Sequence, residues 1–132
     1  MQAEPEDLRP RTKEFALRVI KMFKALPKSE VAKVLGRQVL RSGTSVGANY
    51  REAQRARSKA EFAAKVGDSL KEIEETGYWL ELLVASGEVP APRMADLLDE
   101  CNQLNAILTT IHKKNARMIS FIPHPLYFIL SA

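Results

Sequence analysis

Ser42-Gly-Thr-Ser-Val-Gly-Ala48 is the stretch on which the fold of this chain turns. Each glycine costs about 1 kcal/mol relative to Ala inside a helix, which argues for a loop. Gly43 and Gly47 nevertheless lie four residues apart, on the apolar side of a helical pattern marked by Val31, Leu35, Val39, Val46 and Tyr50. Missing side chains at that spacing let a neighbouring helix approach closely. We read a continuous helix with a packing notch, a loop being the alternative, and place its N-cap at Ser29.

The flanking segments extend this reading. Upstream, Phe15, Val19, Met22, Phe23 and Leu26 fall at helical spacing up to Pro27, which predicts a first helix over 12–25. Residues 1–11 carry two prolines and alternating charge with little apolar content, so they are expected to form a flexible arm. Downstream, Ser58-Lys-Ala-Glu61 has the form of a capping box and starts a third helix. Its seam of Phe62, Val66, Ile73, Leu80 and Val84 spans an arc of only about 40°. Gly87 and Pro90-Ala-Pro92 end that helix, and Pro92 suits the first turn of the next. Met94, Leu97, Cys101, Leu104, Leu108 and Ile111 then step by three and four up to about Arg117. No segment alternates with the period of a strand. The expected fold is all-α, an antiparallel up-down four-helix bundle over 12–117, followed by an apolar C-terminal tail over 118–132.

Composition narrows the functional classes. At 132 residues, 45% hydrophobic and 27% charged, the chain suits one domain. Its single cysteine excludes a disulfide scaffold and a four-cysteine zinc site, and fits a reducing compartment. With no apolar run long enough to span a bilayer and an acidic start from Glu4 to Asp7, a cytoplasmic protein without membrane contact is expected. Catalysis has little to stand on. His112 and His124 have no partner at ligand or triad spacing, and His112 reads as a solvated residue near a helix C-terminus. Cys101 falls on the apolar face as a buried, inert thiol, and no metal or cofactor is implied.

Charge is more informative. The first 66 residues hold 15 Lys and Arg against 7 Asp and Glu, whereas the remainder hold 5 against 9. Turning about 100° per residue from Lys33, Arg37 lies near 40°, Arg41 near 80°, Arg51 near 0° and Arg55 near 40°. These five cations form one stripe opposite the apolar arc. Such a row suits the phosphates of RNA or DNA; a solvated face, or neutralisation by acidic groups on a neighbour, is the alternative. On helix three, Asp68, Glu72 and Glu75 share a sector with Trp79, a large aromatic placed outside the seam and expected at a subunit interface. Ser45, Asn49 and Glu52 on helix two, with Ser69 and Glu72 on helix three, are expected to form a hydrogen-bonded cluster linking the two helices.

Ser45-Val-Gly-Ala-Asn-Tyr-Arg-Glu52, Ser58-Lys-Ala-Glu-Phe62, Ser69-Leu-Lys-Glu72 and Tyr78-Trp-Leu-Glu-Leu82 together resemble the bacterial four-helix-bundle family that includes proteins encoded in intervening sequences of 23S ribosomal RNA genes. The likeness covers roughly residues 15–114, with Arg41, Ser45, Asn49, Glu52, Ser69 and Glu72 at signature positions. Ala53 stands where many relatives have Gly, which favours a continuous helix. The resemblance implies a homo-oligomeric ring, a pentamer. A related branch, the accessory proteins of diversity-generating retroelements, implies nucleic-acid binding through a positively charged ring surface. The expected function is therefore non-enzymatic nucleic-acid binding by Lys33, Arg37, Arg41, Arg51 and Arg55. The alternative is a protein-interaction scaffold, its stripe used in subunit assembly and its C-terminal tail recruiting a protein partner.

Overall fold

The computed structural model describes residues 7–119, which form four helices: α1 (Leu8–Lys24), α2 (Glu30–Gln54), α3 (Lys59–Ala85) and α4 (Ala91–Ile119). Among the described residues there is no strand, and no helix is long and apolar enough to cross a membrane. The expected C-terminal tail lies outside the described residues from Ser120 onward.

The first helix begins at Leu8, four residues before the apolar pattern predicts, so the segment read as an arm over 1–11 contributes its last four residues to α1. Two local features explain the difference. Asp7 caps the helix by accepting the Arg9 N–H at 2.9 Å, and Pro10 sits in the first turn, where its missing N–H has no helical partner to lose. Leu8 is fully buried, and Leu8, Thr12, Phe15 and Val19 form the inward stripe.

Helix α2 runs unbroken through Gly43 and Gly47. Its buried face repeats every three or four residues through Ala32, Gly36, Val39, Gly43, Val46, Tyr50 and Ala53. Val31, expected on that face, is 48% exposed and Ala32 takes its place. The glycines form the notch against α1. A Cβ built on Gly43 would lie 2.9 Å from Val19 Cγ2, and one on Gly47 would lie 3.0 Å from Thr12 Oγ1. The close approach of α1 and α2 thus offsets the helix propensity that the glycines give up.

Helix α3 starts at the expected capping box. Ser58 Oγ accepts the Glu61 N–H at 3.0 Å, while the Glu61 carboxylate reaches one residue further back, to the Arg57 N–H at 3.0 Å. Phe62 and Val84 of the predicted seam are half-buried; Ala63, Val66, Ser69, Ile73, Thr76, Leu80 and Leu83 are the buried set. The α3–α4 turn closes on Gly87 at φ 84°, a left-handed conformation that favours glycine. Met94, Leu97, Cys101, Leu104 and Leu108 of α4 join the core as the heptad-like pattern predicts.

Helix α2 packs against α1 and α3, and α4 against α3 and α1. Across the α1–α4 seam Arg11 forks onto Glu100, with Nε 2.9 Å from Oε2 and Nη2 2.8 Å from Oε1. The Arg11 hydrogen bonds hold the Glu100 carboxyl below its usual value of 4.5, against the opposing effect of burial. A carboxylate with a depressed folded-state pKa stabilises the fold fully above its unfolded value and loses that contribution as pH falls through the folded one. Urea midpoints measured from pH 6 to pH 3 are therefore expected to fall more steeply in the wild type than in Arg11→Met. Equal slopes would show that this pair contributes nothing to acid sensitivity.

Candidate nucleic-acid interface

Lys33, Arg37, Arg41, Arg51 and Arg55 all lie on the exposed side of the molecule, as expected for residues opposite the apolar arc of α2 and at its end. They are not equivalent. Arg41 reaches across to α3, where Nη1 lies 3.2 Å from Glu72 Oε2 and Nη2 pairs with Glu75 Oε1. The expected five-membered stripe is thereby interrupted at its centre, because the acidic sector of α3 faces this arginine within the same chain. Lys33, Arg37, Arg51 and Arg55 form no ion pair among the described residues. The charge of Arg51 also helps to lower the pKa of Asp7, at the start of α1. Beyond Arg55, exposed Arg57 and Lys59 continue the positive surface into α3.

Along the axis the four uncommitted cations form two pairs. Lys33 and Arg37 are one turn apart, as are Arg51 and Arg55, and about 21 Å separates Arg37 from Arg51 at 1.5 Å per residue. An extended polyanion can meet both pairs, whereas a compact anion reaches one.

The polar cluster expected from Ser45, Asn49, Glu52, Ser69 and Glu72 does not come together as one site. Ser45 Oγ donates to the Arg41 carbonyl at 2.7 Å and Asn49 Nδ2 to the Ser45 carbonyl at 3.1 Å, both within α2. Glu52 instead pairs with Lys65 at 2.8 Å, and Glu72 with Arg41. Short polar side chains on a helix satisfy themselves on the preceding turn, so they have little left with which to reach a neighbour.

The buried link between α2 and α3 is made by a partly different set. Ser69 Oγ donates to the Val46 carbonyl at 2.7 Å, and the Ser42 and Thr76 hydroxyls lie 2.8 Å apart. Ser42, Thr76 and Lys65 are absent from the sequence expectation. Thr76 follows Ser69 by seven residues and Ser42 precedes Val46 by four, so both stand on the inward faces of their helices, and their register with the apolar residues is the signal that marks them.

Trp79 is half-buried against the core, with Nε1 3.2 Å from Glu75 Oε1 and its ring centroid 5.2 Å from that of Tyr78. Tyr78 is 54% exposed, so this aromatic pair carries the acidic sector out to the surface. Cys101 is buried with Sγ 3.5 Å from the Ile73 carbonyl oxygen, and burial pushes its thiol up to about 12, far from a reactive thiolate. His112, expected in solvent, is instead half-buried: Gly67 leaves room for its ring, and Nδ1 lies 3.2 Å from the Ala63 carbonyl oxygen. His124 lies outside the described residues. Among the described residues there is no group of three His, Cys, Asp or Glu side chains able to hold a metal.

The model of the family described as 23S rRNA-intervening sequence protein matches residues 7–110. No curated protein matches the chain. Among solved structures, a protein of unknown function of the S23 ribosomal protein family from Bacteroides thetaiotaomicron is 37% identical. The alignment covers 81% of this chain and 99% of that one, with a TM-score of 0.76.

Proposed function

The chain belongs to the 23S rRNA-intervening sequence protein family, and from that premise we propose that it is a non-catalytic, cytoplasmic homo-oligomer that holds the backbone of RNA or DNA. The cations that hold it are Lys33, Arg37, Arg51 and Arg55. The observation carrying this reading is the set of four exposed cations on α2 and its C-cap that form no ion pair with a carboxylate among the described residues. Arg41 is left out, because Glu72 and Glu75 already hold its guanidinium.

The proposed subunit is an antiparallel up-down bundle. In support, contacts between α2 and α3 pair Ser42 with Thr76, Val46 with Ser69 and Glu52 with Lys65, so residue numbers rise on one helix as they fall on the other. The proposed assembly is a ring of five, in keeping with the family resemblance, with Trp79 and its exposed neighbour Tyr78 at the subunit contact. Five copies of two cation pairs make individually weak phosphate contacts effective, because each bound pair raises the local concentration of the next.

The test is fluorescence anisotropy of a labelled structured RNA and a labelled duplex DNA from about 50 to 200 mM salt, with oligomer mass recorded in parallel. Binding that weakens steeply with salt at constant mass is expected. An intact oligomer that binds neither probe at the lowest salt would overturn the proposal and favour a protein-interaction scaffold.

A further inference from the structure

Six exposed cations gather at the end of the bundle where α2 stops, α3 begins and α4 finishes. Four of them, Arg57, Lys59, Lys113 and Lys114, lie outside the α2 stripe; Arg51 and Arg55 stand at the corner that the two surfaces share. A short connection from Gln54 to Lys59 keeps the end of α2 beside the start of α3. Helix α4 arrives at the same level, because His112 Nδ1 lies 3.2 Å from the carbonyl oxygen of Ala63, one turn into α3. Lys113 and Lys114 follow His112 directly, which places them within about one turn of Lys59 along the bundle axis.

None of the six forms an ion pair among the described residues. Nearby carboxylates are engaged elsewhere: Asp7 holds Arg9, Glu52 and Asp68 flank Lys65, and Glu61 accepts the Arg57 N–H. Unpaired positive charge concentrated on one surface attracts a polyanion. Two features favour a double strand over a single one. Helices α2 and α4 both pack on α1 and α3, so they occupy diagonal corners of the bundle. With neighbouring axes about 8–10 Å apart that diagonal is about 13 Å, close to the roughly 12 Å across which two backbones face each other in the major groove of B-form DNA. Single-strand binding, by contrast, draws on bases stacked against exposed rings. At this end Tyr50 is buried and Phe62 half-buried, whereas exposed Tyr78 lies in the last third of α3.

We propose that this end of the bundle is a backbone-binding surface for double-stranded nucleic acid. The cations where α2 meets α3 hold one strand, and Lys113 and Lys114 hold the other. The inference rests on the nucleic-acid reading and deepens it, naming a duplex as the partner and adding four contacts that the α2 stripe lacks. Contacts of this kind go to phosphates, so they position a duplex without reading its sequence.

The experiment footprints the lysines of the full-length wild type with acetic anhydride, free and saturated with a 20-base-pair RNA or DNA duplex, and reads them by mass spectrometry. Protection of Lys59, Lys113 and Lys114 is expected, while Lys24 and Lys28 at the opposite end react as in the free protein. Both duplexes are expected to bind, and the tighter one identifies the source of the phosphates. A second arm replaces Arg57, Lys59, Lys113 and Lys114 together by Gln. Four lost contacts at about 0.9 each flatten the salt slope by about 3.6, so between 50 and 200 mM salt the wild type loses about 150-fold more affinity than this variant. A wild type that binds duplex with Lys59, Lys113 and Lys114 unprotected overturns the inference and leaves the α2 stripe standing. So does a fourfold variant, folded by circular dichroism, whose salt slope is unchanged. A single strand of the same length that competes as well as the duplex overturns the two-strand assignment. A wild type that binds neither duplex nor single strand overturns the nucleic-acid reading itself, and this inference with it.

Discussion

Gly43→Leu is expected to lower the thermal midpoint by about 10 °C, whereas Gly77→Ala is expected to raise it by a few degrees. Both positions lie within long helices, so both gain about 0.5–1 kcal/mol when glycine is replaced by a better helix former. What differs is the neighbour. A Cβ on Gly43 would lie 2.9 and 3.0 Å from the two methyls of Val19, a fully buried and β-branched side chain with little rotamer freedom. The larger leucine must push α1 away, at the upper end of the roughly 1–3 kcal/mol found for overpacked cores or beyond it. At Gly77 the nearest atom to a new Cβ is Cys101 Sγ at 3.5 Å, an ordinary contact. Differential scanning calorimetry on the two variants checks the pair. If both variants shift the midpoint in the same direction, the α1–α2 notch is not the reason for Gly43.

Replacing Lys33, Arg37, Arg51 and Arg55 together by Gln is expected to leave the fold and oligomer mass unchanged while removing most nucleic-acid affinity. Each phosphate contact contributes about 0.9 to the slope of log K against log salt for duplex DNA, so four lost contacts flatten that slope by about 3.6 per engaged subunit. Arg41→Gln is the control. Its guanidinium is held by Glu72 and Glu75, so its loss is expected to loosen the α2–α3 contact slightly while leaving the salt slope alone. A fourfold variant that binds as tightly and as salt-dependently as the wild type would place the interface elsewhere. Dissociation of the oligomer by the same substitutions would make the stripe an assembly surface.

The contrast between Arg41 and its stripe neighbours marks how far helical periodicity reads into the site. Rotation about the α2 axis places all five cations on the outer side, and that placement depends only on the rise and twist of one helix. Whether a cation is spent on a carboxylate depends on the rotation and offset of α3. A 100° wheel drawn for each helix separately contains neither quantity. The same reasoning covers Ser45 and Asn49: their faces are legible, but the choice between bonding to their own turn and to a neighbour is made by distance.

The amino-acid pattern by itself determined the number and type of the elements, three of the four helix starts to within a few residues, the capping by Ser29 and Ser58 and the apolar seam of α4. These follow from local rules, in which a side chain acts on its own turn. Tertiary structure alone decided the rest. It buried Leu8 against the bundle, which adds to the local Asp7 cap and Pro10 in holding the first turn of α1. It also brought Ser42 and Thr76 to the buried α2–α3 link beside Ser69 and bound Arg41 to α3. Each of these sums contributions from residues far apart in sequence, and their energies depend on helix offsets that only packing sets.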